Sequence, residues 1–221
     1  MENINNFIEQ TNLRPTLIDR DIDQLVEEAR KYHFAGICVP PFWVKKAKRE
    51  IGSDTIRLVT VIGFPLGYQM SESKTNEMEI AIANGADELD MVMNVSAFKS
   101  GMPWVKIEIA KCAQLAHDSG KPIKIIIETA YLSSDEMITA AKLCQDAGAD
   151  YVKTSTGFAP SGAKVEDIRL LRSNLANDIG IKASGGIKSL KEACLLIEAG
   201  ADRIGTSGGV KIMEELAGKR I

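Results

Sequence analysis

The chain has 221 residues, 45% apolar and 26% charged, with a formal net charge of -3. That suffices to bury a substantial core as one domain over 1–221, and it excludes a disordered chain. It also excludes the broad positive field that nucleic acid or an anionic membrane would require, so an anionic ligand must be held by local donors.

A first strand is predicted at 7–11, followed by a helix over 21–34 and short apolar strands at 36–39 and 58–63. Then come a helix over 71–83, a strand at 89–93, a helix over 103–119, a strand at 124–129 and a helix over 134–147. Ser133-Ser134-Asp135-Glu136 supplies the start signal of the last of these. The remaining strands fall at 151–156, 180–184 and 203–207, with helices over 164–177 and 190–199. Gly-Ala-Asp recurs at 85–87, 148–150 and 200–202, each time closing a helix and opening a strand, where glycine suits the left-handed helix C-cap. Eight strand–helix units of roughly 28 residues predict a compact single-domain (β/α)8 TIM barrel. The competing doubly wound sheet lacks a Gly-x-Gly-x-x-Gly after its early strands.

The N-terminus has neither a basic region nor an apolar run of signal-peptide length, and no stretch approaches the roughly 20 apolar residues of a membrane helix; a cytoplasmic protein is expected. Cys38, Cys112, Cys144 and Cys194 lack CxxC spacing, which fits reduced thiols in core positions.

Chemistry is expected at the C-terminal ends of the strands. Lys153, in Val152-Lys153-Thr154-Ser155-Thr156, should face inward, where burial penalises the ammonium and favours a nucleophilic amine of the Schiff-base kind. The alternative is an outward or strand-end lysine paired with a carboxylate. Asp90, embedded in Leu89-Asp90-Met91-Val92-Met93, is either a proton carrier or a buried structural acid. Lys182 falls one unit after Lys153, hence on the neighbouring strand about 4.8 Å away. Two bare ammoniums at roughly 6 Å would repel by about 2.8 kcal/mol at a dielectric near 20, which is expected to help Lys153 offer a free amine. Lys124 adds a third candidate cation, with pairing to Glu128 or Asp90 as its structural alternative.

Glycine-rich turns follow the last two strands, at Ser184-Gly185-Gly186 and Gly205-Thr206-Ser207-Gly208-Gly209, and both open helices. Bare N–H groups at helix N-termini in these two loops suit a phosphate; ordinary turn chemistry is the alternative. His33 and His117, the two histidines, both fall in predicted helices, so no open metal site is expected. No Gly-x-Ser-x-Gly elbow occurs.

These residues carry a resemblance that spans nearly the whole chain. Ile8-Glu9-Gln10-Thr11-Asn12-Leu13, Val61-Ile62-Gly63-Phe64-Pro65-Leu66-Gly67, Gly85-Ala86-Asp87-Glu88-Leu89-Asp90, Lys124-Ile125-Ile126-Ile127-Glu128-Thr129, Lys153-Thr154-Ser155-Thr156-Gly157-Phe158 and Lys182-Ala183-Ser184-Gly185-Gly186 together resemble the class I deoxyribose-phosphate aldolase family. The resemblance implies reversible cleavage of 2-deoxyribose 5-phosphate to glyceraldehyde 3-phosphate and acetaldehyde, with no cofactor and no metal. Lys153 would form the Schiff base, and Asp90 and Lys182 would relay protons. The phosphate would sit at Gly185, Gly186, Gly205, Ser207 and Gly208, with Thr11, Cys38, Lys124 and Thr156 around the rest of the substrate. The expected partner is a small phosphorylated sugar, with neither nucleic acid nor membrane. Barrels of this size commonly pair, so a homodimer is the assembly considered, although no long exposed apolar stripe is legible. Two departures stand out: Glu9-Gln10 replaces an acid–histidine pair, and the chain ends Gly218-Lys219-Arg220-Ile221 without the tyrosine some relatives carry. Readings that keep less of the resemblance are a Schiff-base aldolase for another phosphorylated aldol or a keto acid, and a non-catalytic phosphosugar-binding barrel.

Overall fold

The computed structural model describes residues 3–218. Its eight strands are β1 (Ile8–Thr11), β2 (Gly36–Val39), β3 (Arg57–Ile62), β4 (Glu88–Val92), β5 (Ile123–Ile126), β6 (Tyr151–Lys153), β7 (Gly180–Ser184) and β8 (Arg203–Thr206). They pair in parallel in sequence order, and β1 closes on β8. The principal helices after each strand are α1 (Asp19–Tyr32), α2 (Val44–Ile51), α3 (Ser71–Ala83), α4 (Val95–Lys99) with α5 (Trp104–Asp118), α6 (Ser134–Asp146), α7 (Val165–Asn174), α8 (Leu190–Glu198) and α9 (Gly209–Gly218). The expected (β/α)8 barrel is therefore what the chain forms.

Strand parity separates two interiors. Ile37, Leu58, Ile62, Leu89, Met91, Ile125, Val152, Ile181 and Ile204 point out and pack with the helices into the main apolar core. Each such fully buried side chain contributes about 1.5–3 kcal/mol. The alternate residues point into the barrel, where Cys38, Val59 and Val61 form a small cluster of their own. The same inner space holds a charged layer: Glu9, Glu88, Asp90, Lys124, Lys153 and Lys182 are all buried there.

The Gly-Ala-Asp repeat has a physical meaning beyond its helix caps. Gly85, Gly148 and Gly200 take φ of 102°, 87° and 114°, which a side chain would strain. The aspartate that follows each then caps the start of the preceding strand: Leu58 N–H donates to Asp87 (3.0 Å), Ile123 N–H to Asp150 (2.8 Å) and Ile181 N–H to Asp202 (2.8 Å). One tripeptide thus ends a helix, turns the chain and satisfies a strand-end donor.

The boundaries differ from expectation at the two strands nearest the chemistry. The strand expected over 151–156 ends at Lys153 because Thr154 and Ser155 turn to bond Ser184, the last residue of β7, through Thr154 Oγ1 and the Ser155 carbonyl. The strand expected over 124–129 runs only Ile123–Ile126, and beyond it Glu128 adopts φ 54°. His33, expected inside a helix, is the left-handed C-cap of α1 with φ 54°. His117 lies in α5 with Nε2 2.9 Å from Asp150 Oδ2. No helix among the described residues is long and apolar enough to cross a membrane.

Candidate active site

The ladders place the expected residues side by side: Lys153 pairs with Lys182 across β6–β7, and Asp90 with Lys124 across β4–β5. Their side chains converge in the barrel interior on Asp90. Its Oδ2 accepts from Lys153 Nζ at 2.8 Å and from Lys182 Nζ at 2.6 Å, and its Oδ1 accepts from Lys124 Nζ at 3.0 Å. Lys182 also donates to Glu9, and Lys124 reaches Glu88 at 2.5 Å.

The electrostatics follow from this crowding. Burial alone would push the Asp90 carboxyl up, but Lys124, Lys153 and Lys182 together outweigh it and hold it well below the usual carboxylate range. Burial would pull the Lys182 ammonium down, yet Asp90 and Glu9 raise it above its ordinary value. Lys124 is likewise raised against its burial, by Asp90, Glu9 and Glu88. Glu9 is lowered despite burial because Lys124 and Lys182 face it. Contrary to expectation, Lys153 and Lys182 do not meet as two bare ammoniums: a carboxylate oxygen of Asp90 stands between them and offsets their repulsion.

Above this cluster opens a cavity of about 640 Å³, lined among others by Thr11, Lys153, Thr156, Gly185, Gly186, Gly205 and Ser207. Lys153, 3% exposed, reaches it, whereas Asp90, Lys124 and Lys182 are fully buried beneath. The far wall is the two glycine loops. Gly208 N–H is already donated to Thr206 Oγ1 at 2.8 Å and Gly209 N–H to Gln10 Oε1 at 3.0 Å. Gly185 (φ 86°) and Gly186 (φ 78°) turn the other loop in a conformation side chains rarely adopt. A Cβ on Gly162 would lie 2.0 Å from the Gly185 carbonyl oxygen, so the β6–α7 loop can dock there only as glycine.

Several expected contacts are placed elsewhere. Cys38 is fully buried in the inner apolar cluster, and burial pushes its thiol up to about 11. Lys124 joins the ion-pair layer below the cavity, and its ring neighbour is Tyr151, 5.8 Å away. Thr11 lines the cavity but donates its hydroxyl to the Glu9 carbonyl at 2.9 Å. Gln10 ties β1 to α1 and α9 through Glu28 (2.7 Å) and Gly209. The C-terminal residues Lys219, Arg220 and Ile221 lie outside the described residues. Of the two partners expected for Lys124, Asp90 is bonded to it and Glu128 is not, because Glu128 turns to Thr156; Glu9 and Glu88, not singled out from sequence, complete the charged layer. Glu9 carried the same signal as Asp90, an acid inside an apolar strand, on the parity opposite to Ile8.

Residues 3–215 match the family model of the DeoC/LacD family aldolases. The chain belongs to this family. It is 48% identical to the deoxyribose-phosphate aldolase of Aciduliprofundum boonei, over 95% of each chain, and 49% identical to that of Thermococcus kodakarensis, over 94% of each. Among solved structures, the tetrameric deoxyribose phosphate aldolase of Aeropyrum pernix superposes with a TM-score of 0.91 at 34% identity, covering 98% of this chain and 92% of that one. The family's barrel is thus the frame in which a lysine, an aspartate and a second lysine meet under an open cavity.

Proposed function

We propose that this protein is a class I aldolase that reversibly cleaves 2-deoxyribose 5-phosphate to glyceraldehyde 3-phosphate and acetaldehyde. The observation that carries the reading is Lys153 Nζ, held 2.8 Å from Asp90 at the floor of a cavity whose opposite wall is built from glycine loops. The free amine of Lys153 attacks the aldehyde carbon of the open-chain sugar, and loss of water leaves a protonated imine. Removal of the proton from the hydroxyl at C3 breaks the C2–C3 bond, releases glyceraldehyde 3-phosphate and leaves an enamine. Protonation of that enamine at C2 and hydrolysis return acetaldehyde and the amine.

The charge layer suits these steps. Asp90, Glu9 and Glu88 face Lys124, Lys153 and Lys182, with Arg57 beside Glu88 and Arg203 beside Glu9 at the edge of the layer. An iminium carries the same charge as the ammonium it replaces, so the Schiff base enters a field already arranged for it. Asp90 and Lys182 share a hydrogen bond beneath Lys153 and form the proton relay of this reading, with water as the link to the substrate oxygen and carbon. Gly185, Gly186 and Ser207 offer the phosphate its backbone donors, with Gly205 as the close-approach position of the β8 loop and the first turn of α9 adding its positive end. Gly208, whose N–H is committed to Thr206, supports that loop.

The reading carries a cytoplasmic location, where phosphorylated sugars are retained by their charge. It also carries a homodimer: the exposed apolar side chains Tyr68, Met70 and Trp104 lie on two segments joined by the Ser71–Glu108 hydrogen bond. Borohydride reduction in the presence of acetaldehyde, followed by peptide mass spectrometry, tests the chemistry. An ethyl group on Lys153, together with turnover of 2-deoxyribose 5-phosphate, is the expected result. Absence of that adduct sinks the aldolase reading in favour of a binding barrel.

A further inference from the structure

Glu128 is a buried carboxyl, bonded to the cavity-lining Thr156, that the proposed chemistry does not use. It is 3% exposed and one of two non-glycine residues with positive φ among the described residues, the other being the helix cap His33. The cause of its backbone conformation lies in the ladder. Ile127 N–H donates to the Lys153 carbonyl (3.0 Å), and a regular parallel ladder would carry Thr129 N–H on to Ser155. Instead, Thr129 N–H donates to the Thr154 carbonyl at 2.9 Å. One extra residue has been inserted on the β5 side, which makes this a bulge, and bulges re-aim a side chain.

The side chain so aimed closes an arch. Both Glu128 carboxylate oxygens accept from Thr156 N–H at 3.2 Å, and Oε2 also accepts from the Thr156 hydroxyl. Thr156 Oγ1 in turn accepts from Phe158 N–H at 3.1 Å. Gly157, between them, has φ 86°, and the Phe158 ring meets Phe64 edge-on with centroids 5.3 Å apart. Thr156, Gly157 and Phe158 all line the cavity beside Lys153. The proton of the Thr156 hydroxyl is therefore committed to Glu128 and is not available to a substrate.

We propose that Glu128 is a positioning residue: by holding Thr156 through its backbone and its hydroxyl, it fixes the Thr156–Phe158 arch over Lys153 at the spacing that the sugar imine needs. It acts on the geometry of the bound substrate rather than on the lysine. This rests on the aldolase reading and assigns it a further residue. Left-handed backbone on a glutamate is strained and persists where surrounding contacts over-determine it, as they do at ligand clamps. Burial also pushes the Glu128 carboxyl up, and the Thr156 donors and Lys153 counter it, so every donor facing this group belongs to the arch or to the nucleophile.

The test compares wild type with Glu128→Gln, Thr156→Val, Thr156→Ser and the Glu128→Gln/Thr156→Val double variant. Each is assayed for kcat and KM on 2-deoxyribose 5-phosphate and for borohydride trapping of Lys153 with acetaldehyde. Losing hydrogen bonds to a charged acceptor predicts a fall in kcat/KM of about ten- to a hundredfold in Glu128→Gln and in Thr156→Val, with trapping within about threefold of wild type. Thr156→Ser keeps the hydroxyl and is expected to retain at least about fivefold more kcat/KM than Thr156→Val. The double variant is expected to lose no more than the worse single one, because both break the same contact. Losses that multiply in the double variant overturn the proposal, as does trapping that falls in step with turnover, or unchanged kcat/KM in Glu128→Gln. If Glu128→Gln does not fold, the contrast between Thr156→Val and Thr156→Ser decides, and equal activities overturn it. Failure of wild-type trapping strikes instead at the aldolase reading.

Discussion

Replacing Asp90 with asparagine removes one charge from within hydrogen-bonding reach of three buried ammoniums, at 2.6, 2.8 and 3.0 Å. At a charge separation near 4 Å and a dielectric near 20, each attraction is worth about 4 kcal/mol. The three do not simply add, because Lys182 keeps Glu9 and Lys124 keeps Glu88 as partners. What remains is about one uncompensated buried positive charge, which predicts a net destabilisation of about 3–5 kcal/mol at neutral pH. Against a typical domain stability of about 5–15 kcal/mol, that leaves a folded but weakened protein. The sign with pH provides the sharper check. In the variant, a folded lysine without its counter-charge binds its proton less tightly than the unfolded lysine does, so stability rises with pH towards the ordinary lysine value near 10.4. In wild type, Lys124 and Lys182 are raised, so their contribution is complete below that value and is lost as pH rises above it. Urea unfolding of both proteins at about pH 7 and about pH 9.5 measures the difference. The gap in stability should shrink at the higher pH. A gap under about 1 kcal/mol at neutral pH, or one that widens with pH, would refute the view that Asp90 is the shared counter-ion.

Lys153→Leu should abolish adduct formation with acetaldehyde and cut retro-aldol turnover by about five orders of magnitude, read by mass spectrometry and by aldehyde release. Lys182→Leu removes the hydrogen-bond donor of Glu9 and one of the two that Asp90 Oδ2 accepts, and kcat should fall by about a hundredfold or more while the KM for the phosphorylated sugar changes little; a large KM effect alone would refute the relay role. Gly162→Ala, whose Cβ would collide with the Gly185 carbonyl, should raise KM about tenfold for 2-deoxyribose 5-phosphate and far less for 2-deoxyribose, which steady-state kinetics on both sugars will show. Asp90 is held well below its ordinary value, so its contribution is present above about pH 4 and is lost as pH falls through its folded value; circular dichroism should show acid unfolding that the asparagine variant lacks in that window.

How much of this was legible in the sequence varies with the range of the interaction involved. Strand and helix placement was open to reading because apolar period and Gly-Ala-Asp punctuation are local, and the helix expected over 71–83 is α3 with the same ends. Lys153, Asp90 and Lys182 were legible as charges inside apolar strands, and the spacing of the βα units put the two lysines on neighbouring strands. Glu9 carried the same mark but sits in a four-residue strand whose parity is poorly defined by its own pattern. Glu128 was legible only as a partner for Lys124; its bond to Thr156 was not, because the extra residue that turns it is visible only when β5 and β6 are laid side by side.

The sequence by itself determined the barrel, the strand ends on which chemistry could sit and the residues that had to be buried there. Only the tertiary structure decided how those charges share one another. Distance between side chains on different strands depends on barrel closure, which brings Glu9 of β1 against Lys182 of β7 across 173 positions of chain. That closure puts Asp90 between Lys153 and Lys182, so the lysines face a common carboxylate instead of bare repulsion, and it leaves Lys153 as the charge of this layer that reaches the cavity.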